Sequence, residues 1–152
     1  MRIVLLILGV LILAVVALFG WRSYASQGMG VPEFSGALRP CPESPNCVLS
    51  TVPAASESFI EPLAGGDDSS WQALQKAIAD TGGEIRNVDE DYLWATYTSS
   101  IFRFVDDVEM HRRPSENRIE VRSASRVGYS DLGANRKRVE SIRQAFQGAT
   151  GI

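Results

Sequence analysis

The sequence predicts an α+β protein, in which an N-terminal transmembrane helix precedes a single domain with a four-stranded antiparallel sheet flanked by two helices. Three observations lead to this prediction. Residues 3–21 are uncharged and almost entirely apolar, two later segments carry apolar residues at a helical spacing of three and four, and residues 85–125 alternate with a period of two. Strands grouped beside separate helices are typical of the α+β class.

The first element is the apolar segment from Ile3 to Trp21. As a helix, its 19 residues extend about 28 Å, close to the ~30 Å hydrocarbon layer of a bilayer. A cleaved signal peptide usually has a shorter apolar core, of about 7–15 residues, but the small residues around Tyr24 leave cleavage after Ala25 as an alternative. A buried core helix is disfavoured, because a helix that is apolar on every face has little small domain to cover it.

The charges beside this segment predict its orientation. Arg2 precedes the segment and Arg22 follows it, which favours an N-terminus in the cytoplasm. We therefore expect a single-pass protein of the cell inner membrane, with its C-terminal domain in the periplasm if the host is a Gram-negative bacterium.

Three regions follow from this pattern. Residues 1–25 are predicted to form the transmembrane anchor or signal segment, residues 26–38 a linker rich in glycine and proline, and residues 39–152 the exported α+β domain. The domain begins with the Pro-rich loop RPCPESPNCVLS. It is long enough for one hydrophobic core but not for two.

Within the domain, the spacing predicts a helix over residues 69–81, with Ser69 and Gln72 in capping-box spacing and Gly82 and Gly83 at its end. Its apolar face comprises Trp71, Leu74, Ala77 and Ile78.

The period then changes to two. We expect two strands within EIRNVDEDYLWATYTS, a third across IFRFVDDVEMHR, and a fourth across RIEVRSAS. A final helix is expected from about Asp131 to Gln147, with Ser130 as its N-cap. Its apolar stripe comprises Leu132, Asn135, Val139, Ile142 and Phe146.

Charge is unevenly distributed along the chain. Beyond residue 30 there are 13 basic and 18 acidic side chains, and the acidic residues dominate before residue 91 whereas the basic residues dominate after residue 103. The acidic balance and the predicted export argue against a nucleic-acid binder, which usually needs a net basic face. The two halves are expected to neutralise each other within one fold.

Three motifs, RPCPESPNCVLS, FRFVDDVEM and RSASRVGYSDLGANRKRVESIR, resemble the domain of unknown function 1499 family. The likeness covers roughly Arg39 to Phe146. That family occurs in bacterial envelope proteins and in plant proteins of the thylakoid lumen, without an established biochemical activity. The resemblance implies an exported or membrane-attached domain, and it supplies no catalytic residues.

The two cysteines, Cys41 and Cys47, are expected to form a disulfide, because an isolated pair this close usually does so in an oxidising compartment. A redox-active pair is the first alternative, although the spacing is not C-x-x-C. A metal site with His111 is the second, although no ligand pair has metal-site spacing. We expect no metal and no cofactor, and we interpret His111 as a surface residue in a turn.

The DD pair lies on a predicted strand, where side chains alternate between faces. Asp106 is in phase with the apolar Val108, whereas Asp107 is in phase with polar residues. A carboxylate on a core face must be paired. The neighbouring chain offers Arg126, Arg136 and Arg138, and we expect Arg126 or Arg136 to pair with Asp106. A β-bulge that turns both aspartates outward is the alternative.

The arginine-rich segment after this strand completes a predicted polar cluster. Asn135 interrupts an apolar stripe, and cations at the start of a helix oppose its dipole, so both require polar partners. Internal acids are one source of partners, and a bound anion at the helix N-terminus is the other. The predicted ligand-binding or structural cluster comprises Asp106, Asp107, Arg122, Arg126, Asn135, Arg136 and Arg138.

The chain carries no catalytic signature such as G-x-S-x-G or H-E-x-x-H. We therefore expect a membrane-anchored envelope protein with a non-catalytic binding or accessory domain, whose partners are the membrane and either an envelope protein or a small anionic ligand. A small hydrolase-like enzyme that uses the Asp/Arg cluster is the alternative. A structural subunit of a membrane complex is the third interpretation. Charges in an open pocket favour the enzyme or ligand site, and buried paired charges favour the structural role.

Overall fold

The computed structural model describes residues 2–31 and 33–151. Met1, Pro32 and Ile152, which fall in the predicted anchor, linker and domain, lie outside the described residues. Along the described chain the elements are α1 (Arg2–Gln27), β1 (Cys47–Leu49), β2 (Leu63–Ala64), α2 (Asp68–Asp80), β3 (Glu84–Val88), β4 (Tyr92–Thr98), β5 (Val105–Arg113), a 3₁₀ turn (Pro114–Glu116), β6 (Arg118–Ser125) and α3 (Ala134–Thr150).

The predicted α+β class is confirmed, with a different strand count. Within the described residues the antiparallel sheet has six strands in the order β1-β6-β5-β4-β3, and β2 pairs separately with β6. The two additional strands, β1 and β2, are three and two residues long. Segments this short carry no recognisable alternation, so the sequence did not indicate them.

One face of the sheet forms the hydrophobic core with α2 and α3. The buried residues of this core include Leu74 and Ile78 of α2, Val108 of β5, and Ile142 and Phe146 of α3. This is the face that the apolar phase of the strands predicted. The helix faces also follow the predicted stripes, apart from Leu132, which lies before α3 and is almost fully exposed.

The N-terminal segment after α1 packs on the opposite face of the sheet. Phe34 stacks on Tyr92 with ring centroids 4.3 Å apart, and Leu38 is buried with Leu49 and Tyr92 in a second, smaller apolar cluster. These contacts lie within the segment predicted as a linker. Both faces of the central strands are therefore covered.

Helix α1 is long and apolar enough to cross a membrane by length and composition, and none of its most apolar window is buried against the domain. Its last turn does contact the domain, because Ser26 is fully buried there. The contacts place the end of α1 beside β5, the strand that carries the two aspartates.

Three predicted boundaries differ from the structure. The third predicted strand starts at Val105 instead of Ile101, because Arg103 has a left-handed φ of 57° that breaks the extended backbone. Helix α2 is capped by Asp67, whose carboxylate accepts the Ser70 N–H at 2.7 Å. Helix α3 starts at Ala134, after Gly133 in a left-handed conformation.

Candidate functional site

Strand β5 places the two aspartates on opposite faces of the sheet, as alternation requires. Asp106 lies on the core side with Val108, and Asp107 lies beneath the N-terminal segment. No outward rotation of both side chains by a bulge occurs, because β5 pairs with β4 and β6 in continuous register through both positions.

The partner of Asp106 is Arg138, with a nitrogen–oxygen distance of 2.5 Å. The guanidinium also lies over the Tyr97 ring, 5.0 Å from its centroid. The predicted pairing of Asp106 with Arg126 or Arg136 is therefore wrong. Arg138 projects from the first turns of α3 toward the sheet, whereas the other two arginines project elsewhere.

Arg136 binds backbone instead of a carboxylate. Its guanidinium donates to the carbonyl oxygens of Glu57 at 2.9 Å and Phe59 at 2.7 Å. Two arginines near the start of α3 thus have partners that offset the unfavourable helix dipole. The expected internal acid is the partner of Arg138 only, whereas the partners of Arg136 are backbone carbonyls.

Asn135 is fully buried and joins the sheet, the Pro-rich loop and the start of α3. The two N–H groups of its amide are shared among three acceptors, the carbonyl of Asn46 at 2.9 Å, the Ser125 hydroxyl at 3.1 Å and the Asp131 carboxylate at 2.8 Å. Its oxygen accepts hydrogen bonds from Ser123 and Arg138. A buried amide with this many partners fixes the position of the helix start.

Asp131, instead of the predicted Ser130, satisfies the free N–H groups at the start of α3. Its carboxylate accepts the N–H of Gly133 at 2.9 Å and of Asn135 at 2.8 Å. Burial by itself would raise the pKa of Asp131, but these hydrogen bonds stabilise the ionised form and lower its pKa below the ordinary value overall.

On the other face, Ser26, Trp94, Asp107 and Arg126 form a group that we call the anchor cluster. Arg126 makes two hydrogen bonds to the Asp107 carboxylate, at 2.8 and 2.9 Å, and donates a third to the Ser26 carbonyl at 2.8 Å. The Trp94 ring donates to Asp107 at 2.8 Å. The Ser26 hydroxyl accepts the Val105 N–H at 3.2 Å.

The anchor cluster is buried. The Arg126 and Asp107 side chains are 6% and 9% exposed, so Asp107, which strand phase grouped with polar residues, is buried on that polar face. A cleft of about 410 Å³ borders Arg126, Trp94, Arg86 and Arg103. However, the guanidinium nitrogens of Arg126 are already engaged inside the protein.

Glu109 lies at the centre of a second buried group on the same face, which we call the Glu109 cluster. Arg122 donates to it at 2.7 Å, Arg39 at 2.9 Å, and the Tyr92 hydroxyl at 3.0 Å. Burial and the Glu109 charge raise the pKa of Tyr92 above its ordinary value. Burial also lowers the pKa of Arg122, against the opposing effect of Glu109.

His111 is buried in β5 and is not the surface turn residue that was expected. Its Nδ1 lies 3.2 Å from Glu120, and its ring meets the Phe34 ring edge-on at 4.9 Å. Cys41 and Cys47 form the predicted disulfide, with Cα atoms 5.6 Å apart. The bridge holds the Pro-rich loop beside β1.

The sequence did not single out Ser26, Arg39 or Trp94. Strand phase offered a partial signal, because Asp107 and Glu109 share a face with Arg122, and Glu109 lies directly opposite Arg122 in the register. Opposite charges on the same face of neighbouring central strands indicate that the side chains are paired there. Nothing in the sequence indicated that the covering segment would come from the end of α1.

One family profile, described as a protein of unknown function (DUF1499), matches residues 37–146. The matched region contains β1 through most of α3 and leaves out α1 and the first residues of the covering segment. Among curated proteins, none matches the chain.

Proposed function

The chain belongs to the DUF1499 family of proteins of unknown function, and from that premise we propose that it is a single-pass inner-membrane protein with a non-catalytic accessory domain in the periplasm. In this proposal the anchor cluster, with its buried Asp107–Arg126 pair, is structural. It holds the domain at a fixed position relative to its anchor, so that the domain presents its surface to an envelope partner.

The membrane placement is supported by the length and composition of α1. Arg2 precedes the apolar segment and Arg22 follows it, which favours a cytoplasmic N-terminus. The Cys41–Cys47 disulfide is consistent with an extracytoplasmic domain, because such bonds persist in oxidising compartments.

Retention of α1 is supported by its contacts with the domain. Phe19 stacks on Phe102 with ring centroids 4.7 Å apart, and Ser26 bonds to both Val105 and Arg126. A signal peptidase that cut after Ala25 would remove the Phe19–Phe102 contact. It would also leave Ser26 as a new N-terminus, no longer held by the helix before it. An uncleaved anchor keeps both.

The observation that best supports the accessory role is that Arg126 makes all its side-chain hydrogen bonds within the protein. All three of its guanidinium nitrogens donate within the protein, to Asp107 and to Ser26. A hydrolase-like site would need at least one of these groups to face the substrate. Because the carboxylate is buried and doubly bound to its arginine, the structural role accounts better for the geometry.

The topology is tested with the full chain expressed in its host. We expect it to stay in the membrane fraction through an alkaline carbonate wash, and its C-terminal domain to be digested by protease added to spheroplasts, while a cytoplasmic enzyme remains protected. A soluble species that begins at Ser26 would contradict the anchor.

The accessory role is tested by crosslinking intact cells and resolving the solubilised complexes. We expect the chain to migrate in a defined complex larger than the monomer. Hydrolysis of ester, phosphate or peptide substrates by the purified chain, lost in Asp107→Asn without a change in melting temperature, would establish the enzymatic alternative instead.

A further inference from the structure

Two loops of the domain expose apolar side chains. Ile101 is 82% exposed and Phe102 46% in the loop of residues 99–104, whereas Tyr129 is 77% and Leu132 89% exposed in the loop of residues 127–132. We call these segments the exit loops. Residues of both loops border one cleft, and exposed apolar side chains grouped in this way usually mark an interaction site.

Both exit loops lie where α1 leaves its apolar stretch. Phe19 of α1 stacks on Phe102, and its ring centroid is 6.0 Å from that of Phe104. A mostly apolar cleft of about 380 Å³ is lined by Phe19 and Arg22 of α1 and by Tyr129 and Leu132 of the second exit loop. The anchor therefore fixes the position of the exposed apolar surface.

The depth of this surface follows from helix geometry. Phe19 precedes Arg22, the first charged residue after the apolar segment, by three residues, or about 4.5 Å along the helix axis. Groups that contact Phe19 thus lie slightly below the outer end of the hydrocarbon layer. Apolar faces of membrane-surface helices reach a comparable depth, about 5–10 Å into the headgroup boundary.

We propose that Ile101, Phe102, Tyr129 and Leu132 insert into the headgroup–acyl boundary of the leaflet at which α1 leaves the membrane. This rests on the membrane placement proposed above. Lipid is the occupant because α1 already sets the bilayer at this level. Tyrosine suits such a boundary, where its ring is in apolar surroundings and its hydroxyl remains hydrated.

The backbone and charges of the exit loops agree with insertion. Among described residues, three non-glycine positions have positive φ, and two of them, Arg103 (57°) and Leu132 (53°), are in these loops. Such conformations cost energy and concentrate at functional segments. Exposed Arg103, together with Arg22, lies at a level where anionic headgroups would bind it.

The test measures depth with nitroxide labels on the full chain in vesicles of phosphatidylethanolamine and phosphatidylglycerol. Because both native cysteines are in the disulfide, an added cysteine is the free thiol to be labelled. The probe variants are Ile101→Cys and Leu132→Cys. The control is Ser115→Cys, exposed in the turn at the opposite end of β5.

For the two probe labels we expect a several-fold higher ratio of oxygen to nickel-complex accessibility than for the Ser115→Cys label, as membrane insertion requires. Equal ratios at all three sites would overturn insertion. Probe labels shielded from both reagents would show that protein covers the surface, either a second copy or a partner, and would also overturn it. Because the carbonate and protease assays are independent of these labels, either result leaves the membrane placement to be judged separately.

Discussion

Replacing Asp107 with alanine removes the carboxylate at the centre of the anchor cluster. Three hydrogen bonds are lost, two from Arg126 and one from the Trp94 ring. The Arg126 guanidinium stays buried, with the Ser26 carbonyl as its remaining partner. The Trp94 N–H loses its acceptor.

The expected cost follows from the burial of the pair. Removing one partner of a buried ion pair leaves an uncompensated charge and costs about 3–5 kcal/mol. For a domain of this size, which unfolds with about 5–15 kcal/mol, that is a large fraction of the stability. At about 4 °C for each kcal/mol, as expected for a domain of about 115 residues, the melting temperature should fall by about 12–20 °C.

The assay is thermal unfolding of the full chain in detergent, followed by near-ultraviolet circular dichroism. Arg126→Ala should lower the free energy of unfolding by a similar amount. The double variant should cost much less than the sum of the two single variants, because each single variant already removes the interaction that the two residues share. The two side chains are only 6% and 9% exposed.

The matched control is the pair Lys76–Asp80, whose side chains are 68% and 54% exposed. Its nitrogen–oxygen distance of 2.5 Å is shorter than the 2.8 Å of the Arg126–Asp107 pair. Asp80→Ala should cost no more than about 0.5 kcal/mol, as expected for a solvated helix pair. If Asp107→Ala unfolds as late as Asp80→Ala, burial does not strengthen the pair. The structural role proposed for the cluster would then be refuted.

Two further predictions concern the Pro-rich loop and the start of α3. Unreduced peptides should show Cys41 linked to Cys47, and replacing both with alanine should cost about 2–3 kcal/mol for so short a closed loop; two free thiols in chain isolated from the periplasm would contradict this. Because the folded pKa of Asp131 is lowered from 3.8, its contribution to stability is complete above that pH and is lost as the pH falls below it. Asp131→Asn should therefore lower the melting temperature at neutral pH and flatten its decline below about pH 4, whereas parallel curves for variant and wild type would count against the assigned role.

Much of the fold was predictable because the apolar pattern is strong where an element has one buried face. The stripe of Val139, Ile142 and Phe146 correctly predicted the core side of α3, and the phase of Val108 did so for β5. The disulfide could also be predicted, because the chain has two cysteines six residues apart.

The rest depended on which segment covers the second face of the sheet. Phase correctly separated Asp106 from Asp107, but phase alone does not tell whether a polar face is exposed or covered by another segment. The N-terminal segment buries that face, so Asp107, Glu109 and His111 are all interior. The pairing of Arg138 with Asp106 could not be predicted either. It depends on the angle at which α3 crosses the sheet, and the spacing of residues within one element gives no information on that angle.

The bond from Arg126 to the Ser26 carbonyl joins residues 100 positions apart. Native pairings between such distant residues must overcome a large loop-closure entropy and form slowly, so they raise the contact order of the domain. The segment that is synthesised first therefore cannot complete its packing until Arg126, near the end of the chain, is available. In the proposed membrane placement, the charged face of β5 stays open during export until Arg126 has emerged, while α1 holds the covering segment at the membrane. Such tethering would keep that segment at a high local concentration near its own sheet and would favour closure on the same molecule over exchange with a neighbour.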